Sequence, residues 1–126
     1  MIQTALASPL VEADDDVRVF TAFAMERGWG DGLPLIPPTE PIVREYLAAT
    51  VRPPDQALGE LPPTSTMCTV ESVAVNAAMA GAPPAAMPLL CAAVEALADP
   101  EFDLAAINAT TASVCPILFV DRKSVV

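Results

Sequence analysis

The sequence predicts an α+β domain of about four helices packed on a small sheet of two or three short strands, which a partner completes. Four segments repeat apolar residues at helical spacing, and prolines separate these segments. The last third of the chain instead turns partly alternating and then continuously apolar, which is typical of strands. We expect one domain over residues 13–126, behind a flexible N-terminal arm at residues 1–12, because 126 residues suffice for a single core.

The first two helices are predicted from their end signals. The aspartates at residues 14–16 favour a helix start through the helix dipole, and Arg27 followed by Gly28 favours its end. Thr39 is the predicted N-cap of a second helix, which ends before Pro53. Its expected buried face consists of Ile42, Val43, Tyr46 and Leu47.

Two further helices follow a proline-rich connector in which residues 56–61 form a short edge strand. Thr69 is the predicted N-cap of the third helix, which ends near Gly81 and whose expected buried face consists of Val70, Val73, Ala74 and Ala77. Prolines are tolerated in the first turn of the fourth helix at Pro83 and Pro84, and Pro100 marks its end. Its core stripe is predicted at Met87, Leu90, Cys91 and Val94.

The predicted strands of the last third are residues 102–111 and residues 115–120. The second of these is apolar throughout, and such a strand needs neighbours on both sides. This requirement, together with alanine-rich helices and few aromatic residues, predicts that the chain associates with another protein or with itself.

The loop at residues 28–39 contains the only Trp and three of the five Gly of the chain, and three of its fourteen Pro. Gly permits tight bends, whereas Pro stiffens the exit from the loop. One interpretation is a rigid binding loop in which Trp29, Gly30 and Gly32 contact a ligand and Asp31 takes part in catalysis. The alternative is an ordinary helix stop with Trp29 as a core anchor.

Composition excludes several functions. A formal charge of −10 repels phosphate backbones and anionic membranes, so neither nucleic acid nor a membrane is an expected partner. The chain has no His and its three Cys are far apart, so no metal site is expected from this chain alone, and any cofactor is unknown. An odd number of Cys without a recognisable secretory signal favours the cytoplasm.

Three residues are candidates for catalysis. Cys68 directly precedes the third helix, where the helix dipole would lower a thiol pKa, although a small core hydrophobe is the alternative. Glu71, in the first turn, could pair with Asp31 for acid/base work, or could serve only as a helix-start charge. Possible ligand-binding residues on this helix and near the end of the first C-terminal strand are Asn76, Asn108, Thr110 and Thr111.

Several short motifs together resemble a known family. They are residues 28–34 leading into Pro37-Pro38-Thr39, residues 69–71, residues 74–81, and residues 109–111 ahead of an apolar segment. Over residues 28–120 the chain is similar to the N-terminal part of a bacterial family associated with UGSC-type (seleno)proteins. This resemblance implies a shared scaffold and a thiol or redox context, without an assigned reaction. The chain departs from the family because it lacks a U/C-G-S-C motif and the second half.

These observations predict a small subunit of a hetero-oligomeric cytosolic enzyme, whose partner supplies the missing half and part of the active site. A small-molecule substrate and a homo-oligomer are compatible with this prediction. The first alternative is a non-catalytic binding or assembly module that uses the Gly/Pro-rich loop. The second is a stand-alone thiol enzyme that uses Cys68.

Overall fold

Five α-helices and a two-stranded antiparallel sheet make up the part of the chain that the computed structural model describes, namely residues 6–109, residue 111 and residues 114–120. The predicted α+β class is therefore confirmed. In chain order the elements are α1 (Val17–Glu26), α2 (Glu40–Ala48), β1 (Ala57–Leu61), β2 (Thr66–Thr69), α3 (Val70–Met79), α4 (Met87–Leu97) and α5 (Leu104–Asn108). Short 3-10 turns at Pro84–Ala86 and Pro100–Phe102 precede α4 and α5.

Side-chain caps confirm the predicted starts of α1 and α3, whereas Thr39 precedes α2 without a side-chain cap bond and α4 begins at Met87, after a 3-10 turn at the predicted prolines. The Asp16 carboxylate accepts hydrogen bonds from the backbone N–H groups of Arg18 and Val19, which would otherwise lack partners at the start of α1. At α3 the Thr69 hydroxyl accepts from the N–H of Ser72, and the Ser72 hydroxyl accepts from the N–H of Thr69. This reciprocal capping box defines the point where β2 passes into α3.

The core forms around α3, which contacts α2, β2 and α4. Its small side chains allow this close approach, since Val70 and Ala74 are completely buried. The predicted faces of the second to fourth helices all point inward, as their members are buried or packed against the core. The buried cluster consists of Val43, Tyr46, Leu58, Val70, Val73, Ala74, Ala77, Ala78, Met87 and Cys91.

The sheet is a hairpin of β1 and β2 with an irregular register. Ala57 pairs with Thr69 and Gly59 pairs with Cys68, so that Leu58 forms a β-bulge between them and turns its side chain into the core. The predicted edge strand at residues 56–61 is thus confirmed. The second strand falls in what the sequence predicts to be a connector, because four residues carry too little alternation to be recognised.

The two strands predicted in the last third are wrong. Residues 102–111 contain α5, because the Asp103 carboxylate accepts from the N–H of Ala106 and the following alanines favour a helix. Residues 115–120 are exposed and pair with neither described strand. An apolar run forms a strand only where a neighbouring strand offers backbone hydrogen bonds. In the described part of the chain, β1 and β2 pair with each other as a hairpin and not with residues 115–120.

The described part of the N-terminal arm lies against the helical core. Leu6 packs on the buried cluster, and the backbone N–H groups of Ala7 and Ser8 donate to the carboxylate of Glu71 on α3. Residues 1–5 of the predicted arm lie outside the described residues. The arm therefore takes part in the surface around α3.

Candidate functional site

The loop between α1 and α2 makes a tight, well-tethered bend. Gly32 has a φ of +105°, which strains any residue with a side chain. At Gly30 a Cβ atom would lie 2.9 Å from the sulfur of Met25 and 3.1 Å from a methyl carbon of Leu35, so a larger residue would require these two side chains to shift. The exit is tied down on both sides, since the N–H of Leu35 donates to the Thr21 hydroxyl over 3.0 Å and the N–H of Ile36 donates to the Met79 carbonyl over 3.0 Å.

An aromatic cluster forms where α1 ends in this loop. The rings of Phe20 and Phe23 stack at 6.2 Å, and Trp29 meets Phe23 edge-on at 5.9 Å. The guanidinium carbon of Arg27 lies 3.5 Å from the centroid of Phe23 and 5.9 Å from that of Trp29. Trp29 remains 48% exposed, so it is not the core anchor of the alternative interpretation, and part of its indole is accessible.

A cleft of about 420 Å³, called here the loop cleft, lies between this loop and α3. Its lining includes Trp29, Gly30 and Asp31 from the loop and Asn76 from α3. The Asp31 carboxylate is exposed and accepts a hydrogen bond from the N–H of Leu33 at 3.1 Å, in a local turn. Asn76 donates through its side-chain nitrogen to the Ser72 carbonyl over 2.8 Å, which orients the amide. Four predicted site residues from two distant segments therefore meet in one cleft.

A second and larger cavity of about 580 Å³, called here the apolar groove, adjoins the loop cleft. It lies between the N-terminal arm, α1, the end of the loop and α3, and it shares Trp29, Asn76 and Met79 with the loop cleft. Its walls are mostly apolar, whereas its charged lining residues are all acidic, namely Asp14, Asp15 and Glu40. The groove therefore suits an apolar ligand with a positive charge at one end.

Glu71 does not pair with Asp31, contrary to the acid/base interpretation. Its side chain is 4% exposed and its carboxylate accepts from the N–H of Ala7 at 2.9 Å, from the N–H of Ser8 at 2.6 Å, and from the Ser8 hydroxyl. Glu71 also lines neither of the two cavities described above. Burial raises the pKa of this carboxyl, but the bonds from Ser8 and Ala7 outweigh it and leave the pKa below its ordinary value. Glu71 is thus an ionised anchor for the arm.

Cys68 precedes α3 as predicted, but its thiol has a structural environment. It lies in β2, half-buried against the core, with its sulfur 3.3 Å from the Ser72 hydroxyl oxygen. That hydroxyl donates its proton to the Thr69 carbonyl, so the thiol is the donor towards Ser72. Since the chain contains no His, the commonest base for activating a thiol is missing from it.

The remaining predicted ligand-binding residues do not join this region. Asn108 is exposed at the end of α5, not at a strand end, and Thr111 is exposed in the bend beyond it. Neither lines the loop cleft or the apolar groove, and Thr110 lies outside the described residues. Within the described ranges there is no cluster of three potential metal ligands, and no helix is long and apolar enough to cross a membrane.

Sequence reasoning missed two contributors to the site. Arg27, predicted only as a helix-end charge, also lies over the rings of Phe23 and Trp29, a contact that depends on how the loop folds back on α1. Met79, which tethers the loop and lines both cavities, carries no sequence signal, because its role depends on how α3 packs. No protein-family model, no curated protein and no solved structure matches this chain.

Proposed function

We propose that this chain is a binding subunit of a larger cytoplasmic enzyme assembly, in which the loop cleft recognises a ligand or partner residue and a second protein supplies the reacting groups. One observation carries this proposal. The loop and α3 place the Trp29 indole, the Asp31 carboxylate and the Asn76 amide around one cleft, while the other two predicted catalytic residues, Glu71 and Cys68, are engaged elsewhere.

The lining indicates which ligand chemistry fits. The Asp31 carboxylate attracts an ammonium or guanidinium group through an ion pair, and the exposed part of the indole offers apolar contact, since Arg27 already lies near the face of the ring. The overall charge of −10 disfavours anionic ligands. We therefore propose a cationic group attached to an apolar body, presented by a small molecule or by a side chain of the partner.

The stand-alone thiol enzyme is the less favoured function. All three cysteines are free, which agrees with a reducing compartment. However, Cys68 donates to a hydroxyl and lies outside both cavities, and Cys91 is completely buried in α4. Any thiol or redox reaction implied by the family resemblance would then need groups from the partner.

The ligand chemistry is tested by Trp29 fluorescence, because Trp29 is the only Trp. Benzylamine serves as the cationic probe, and benzoate, of similar size and opposite charge, as its control. We expect a saturable change in emission with benzylamine at a Kd of about 1 mM, equivalent to about 4 kcal/mol, and no saturable change with benzoate.

Asp31→Asn tests whether the carboxylate is responsible. This near-isosteric change keeps the local turn with Leu33, so the free energy of unfolding should change by less than about 0.5 kcal/mol, while benzylamine affinity should fall at least about tenfold. Asp55→Asn, at an exposed carboxylate in the turn before β1, is the matched control and should bind as the wild type does. Equal affinity of all three proteins would refute the assignment of Asp31.

The assembly half of the proposal is tested by affinity purification of the tagged chain from its native cells. A genuine partner should be retained by Asp55→Asn and reduced by Asp31→Asn and by Trp29→Ala. A partner retained equally by all variants would bind elsewhere and would contradict a role for the loop cleft in assembly.

A further inference from the structure

Among the described residues, a run of exposed apolar side chains lies at residues 114–120, after α5. Its five large apolar side chains are each more than half exposed: Val114, Ile117, Leu118, Phe119 and Val120. The segment is not part of a helix or strand, and the described hairpin does not pair with it. A contiguous apolar segment of this kind marks an interaction site in a folded protein.

The apolar groove offers a surface of matching character. Phe20, Phe23 and Val43 contribute apolar walls, and the arm contributes Leu10 and Val11, which are 82% and 51% exposed. A volume of about 580 Å³ is in the range of sites that bind several apolar side chains. The groove is therefore large enough for the central part of the segment.

Charge complementarity points to the same pairing. Asp121, Arg122 and Lys123 follow the apolar segment in the sequence, outside the described residues, and together they carry a net charge of about +1, with Arg122 and Lys123 two of the six basic residues of the chain. The charged lining of the groove is acidic throughout, with Asp14, Asp15 and Glu40. If the apolar residues of the segment lie in the groove, the basic pair would lie near the acidic lining residues, called here the acidic rim. This charge pairing would fix the direction in which the segment runs through the groove.

We propose that residues 114–120 of one copy of this chain dock in the apolar groove of a second copy, with Arg122 and Lys123 at its acidic rim. Within one copy the segment is exposed and the groove is an open cavity, so the segment does not cover the groove of its own chain. Reciprocal exchange between two copies covers both pairs of surfaces and closes as a two-fold dimer. Because the groove shares Trp29 and Asn76 with the loop cleft, the docked segment would also form a wall beside that cleft.

Sedimentation velocity over a range of protein concentrations measures the dimer directly. The wild type should be dimeric at micromolar concentration, and Phe119→Asp should raise the dimer Kd at least about tenfold by placing a charge in the apolar groove. Val51→Asp makes the same kind of change at a fully exposed position in the turn after α2 and should leave the Kd unchanged. A monomer at all concentrations, or equal effects of both variants, would overturn the proposal.

Charge reversal tests the acidic rim. The variant Arg122→Glu/Lys123→Glu and the variant Asp14→Lys/Asp15→Lys should each dimerise weakly alone, since like charges meet at the rim. An equimolar mixture should form heterodimers, because each segment then meets a groove of opposite charge. Circular dichroism confirms that both variants are folded, and failure of the mixture to associate more strongly than either variant would contradict the proposed register.

Cross-linking distinguishes the possible occupants of the groove. A photoreactive phenylalanine at position 119, in a mixture of ¹⁵N-labelled and unlabelled chains, should link labelled to unlabelled protein at groove residues such as Val43 and Met79. Links confined to one chain would show that the segment folds back into its own groove. Links between copies at other residues would show a different interface, and either result would refute the exchange.

Discussion

Replacing Glu71 by Gln should release the N-terminal arm from α3. The carboxylate accepts three hydrogen bonds from Ala7 and Ser8 in a site that is 4% exposed. The amide of Gln retains one oxygen, which can still accept from Ser8. Its NH₂ group is a donor and cannot accept from the N–H of Ala7, which is also a donor. One bond is then lost and the others lose the assistance of the charge.

The magnitude follows from these bonds. A hydrogen bond to a charged group contributes about 1.5–3 kcal/mol, and an unsatisfied buried donor costs about 1–3 kcal/mol, so Glu71→Gln should weaken arm docking by about 2–4 kcal/mol. If docking and folding are coupled, Tm should fall by roughly 4 °C for each kcal/mol in a domain of this size.

Amide hydrogen exchange is the decisive assay, because it detects release of the arm even if the core stays folded. In Glu71→Gln the amides of Ala7 and Ser8 should exchange at least about 30-fold faster than in the wild type, the equivalent of about 2 kcal/mol. Glu45→Gln, at an exposed carboxylate on α2, is the matched control and should leave both amides protected. Equal exchange in the wild type and Glu71→Gln would refute the anchor.

The pH dependence has a definite sign. The pKa of Glu71 is lowered in the folded protein, so its ionised form stabilises the fold above the ordinary carboxyl pKa of 4.5. This contribution is lost as the pH falls through the lowered pKa of the folded state. Protection of Ala7 and Ser8 should therefore decrease below about pH 4.5 in the wild type, and Glu71→Gln should show a flatter profile.

Three further predictions concern a helix cap, a buried hydroxyl and the reactivity of the cysteines. Thr69→Ala removes the capping box of α3 and should lower the free energy of unfolding by about 1–2 kcal/mol, whereas Thr69→Ser should retain most of it; urea denaturation that gives equal values would contradict the cap. Tyr46→Phe removes a buried hydroxyl that donates to a backbone carbonyl after α3 and should cost about 1–2 kcal/mol in the same assay, and an unchanged midpoint would argue against that bond. In dilute protein Cys115 should be alkylated first because it is exposed, while burial, which raises the pKa of the Cys91 thiol, should protect Cys91 until denaturant is added. Mass spectrometry that finds Cys91 labelled as fast as Cys115 would refute this order.

Local signals were enough to predict much of the helical framework. Asp16, Thr69 and Pro100 act through bonds and sterics within a few residues, so the ends of α1, α3 and α4 can be inferred without knowledge of the fold. The inward faces of α2 and α3 follow from apolar spacing for the same reason. The predicted strands at residues 102–111 and 115–120 were wrong because strand formation depends on a hydrogen-bonding neighbour elsewhere in the chain.

The sequence by itself determined the α+β class, the starts of α1, α2 and α3 and the tight glycine loop, since each depends on interactions between near neighbours. The roles of the site residues were decided by tertiary structure. Residues 63 or 64 positions apart meet where Ser8 and Ala7 bind Glu71, which turns a possible catalytic acid into an anchor. Likewise, only the packing of α3 against the loop brings Asn76 to Asp31 and Trp29, because distances between remote segments are set by the core that joins them.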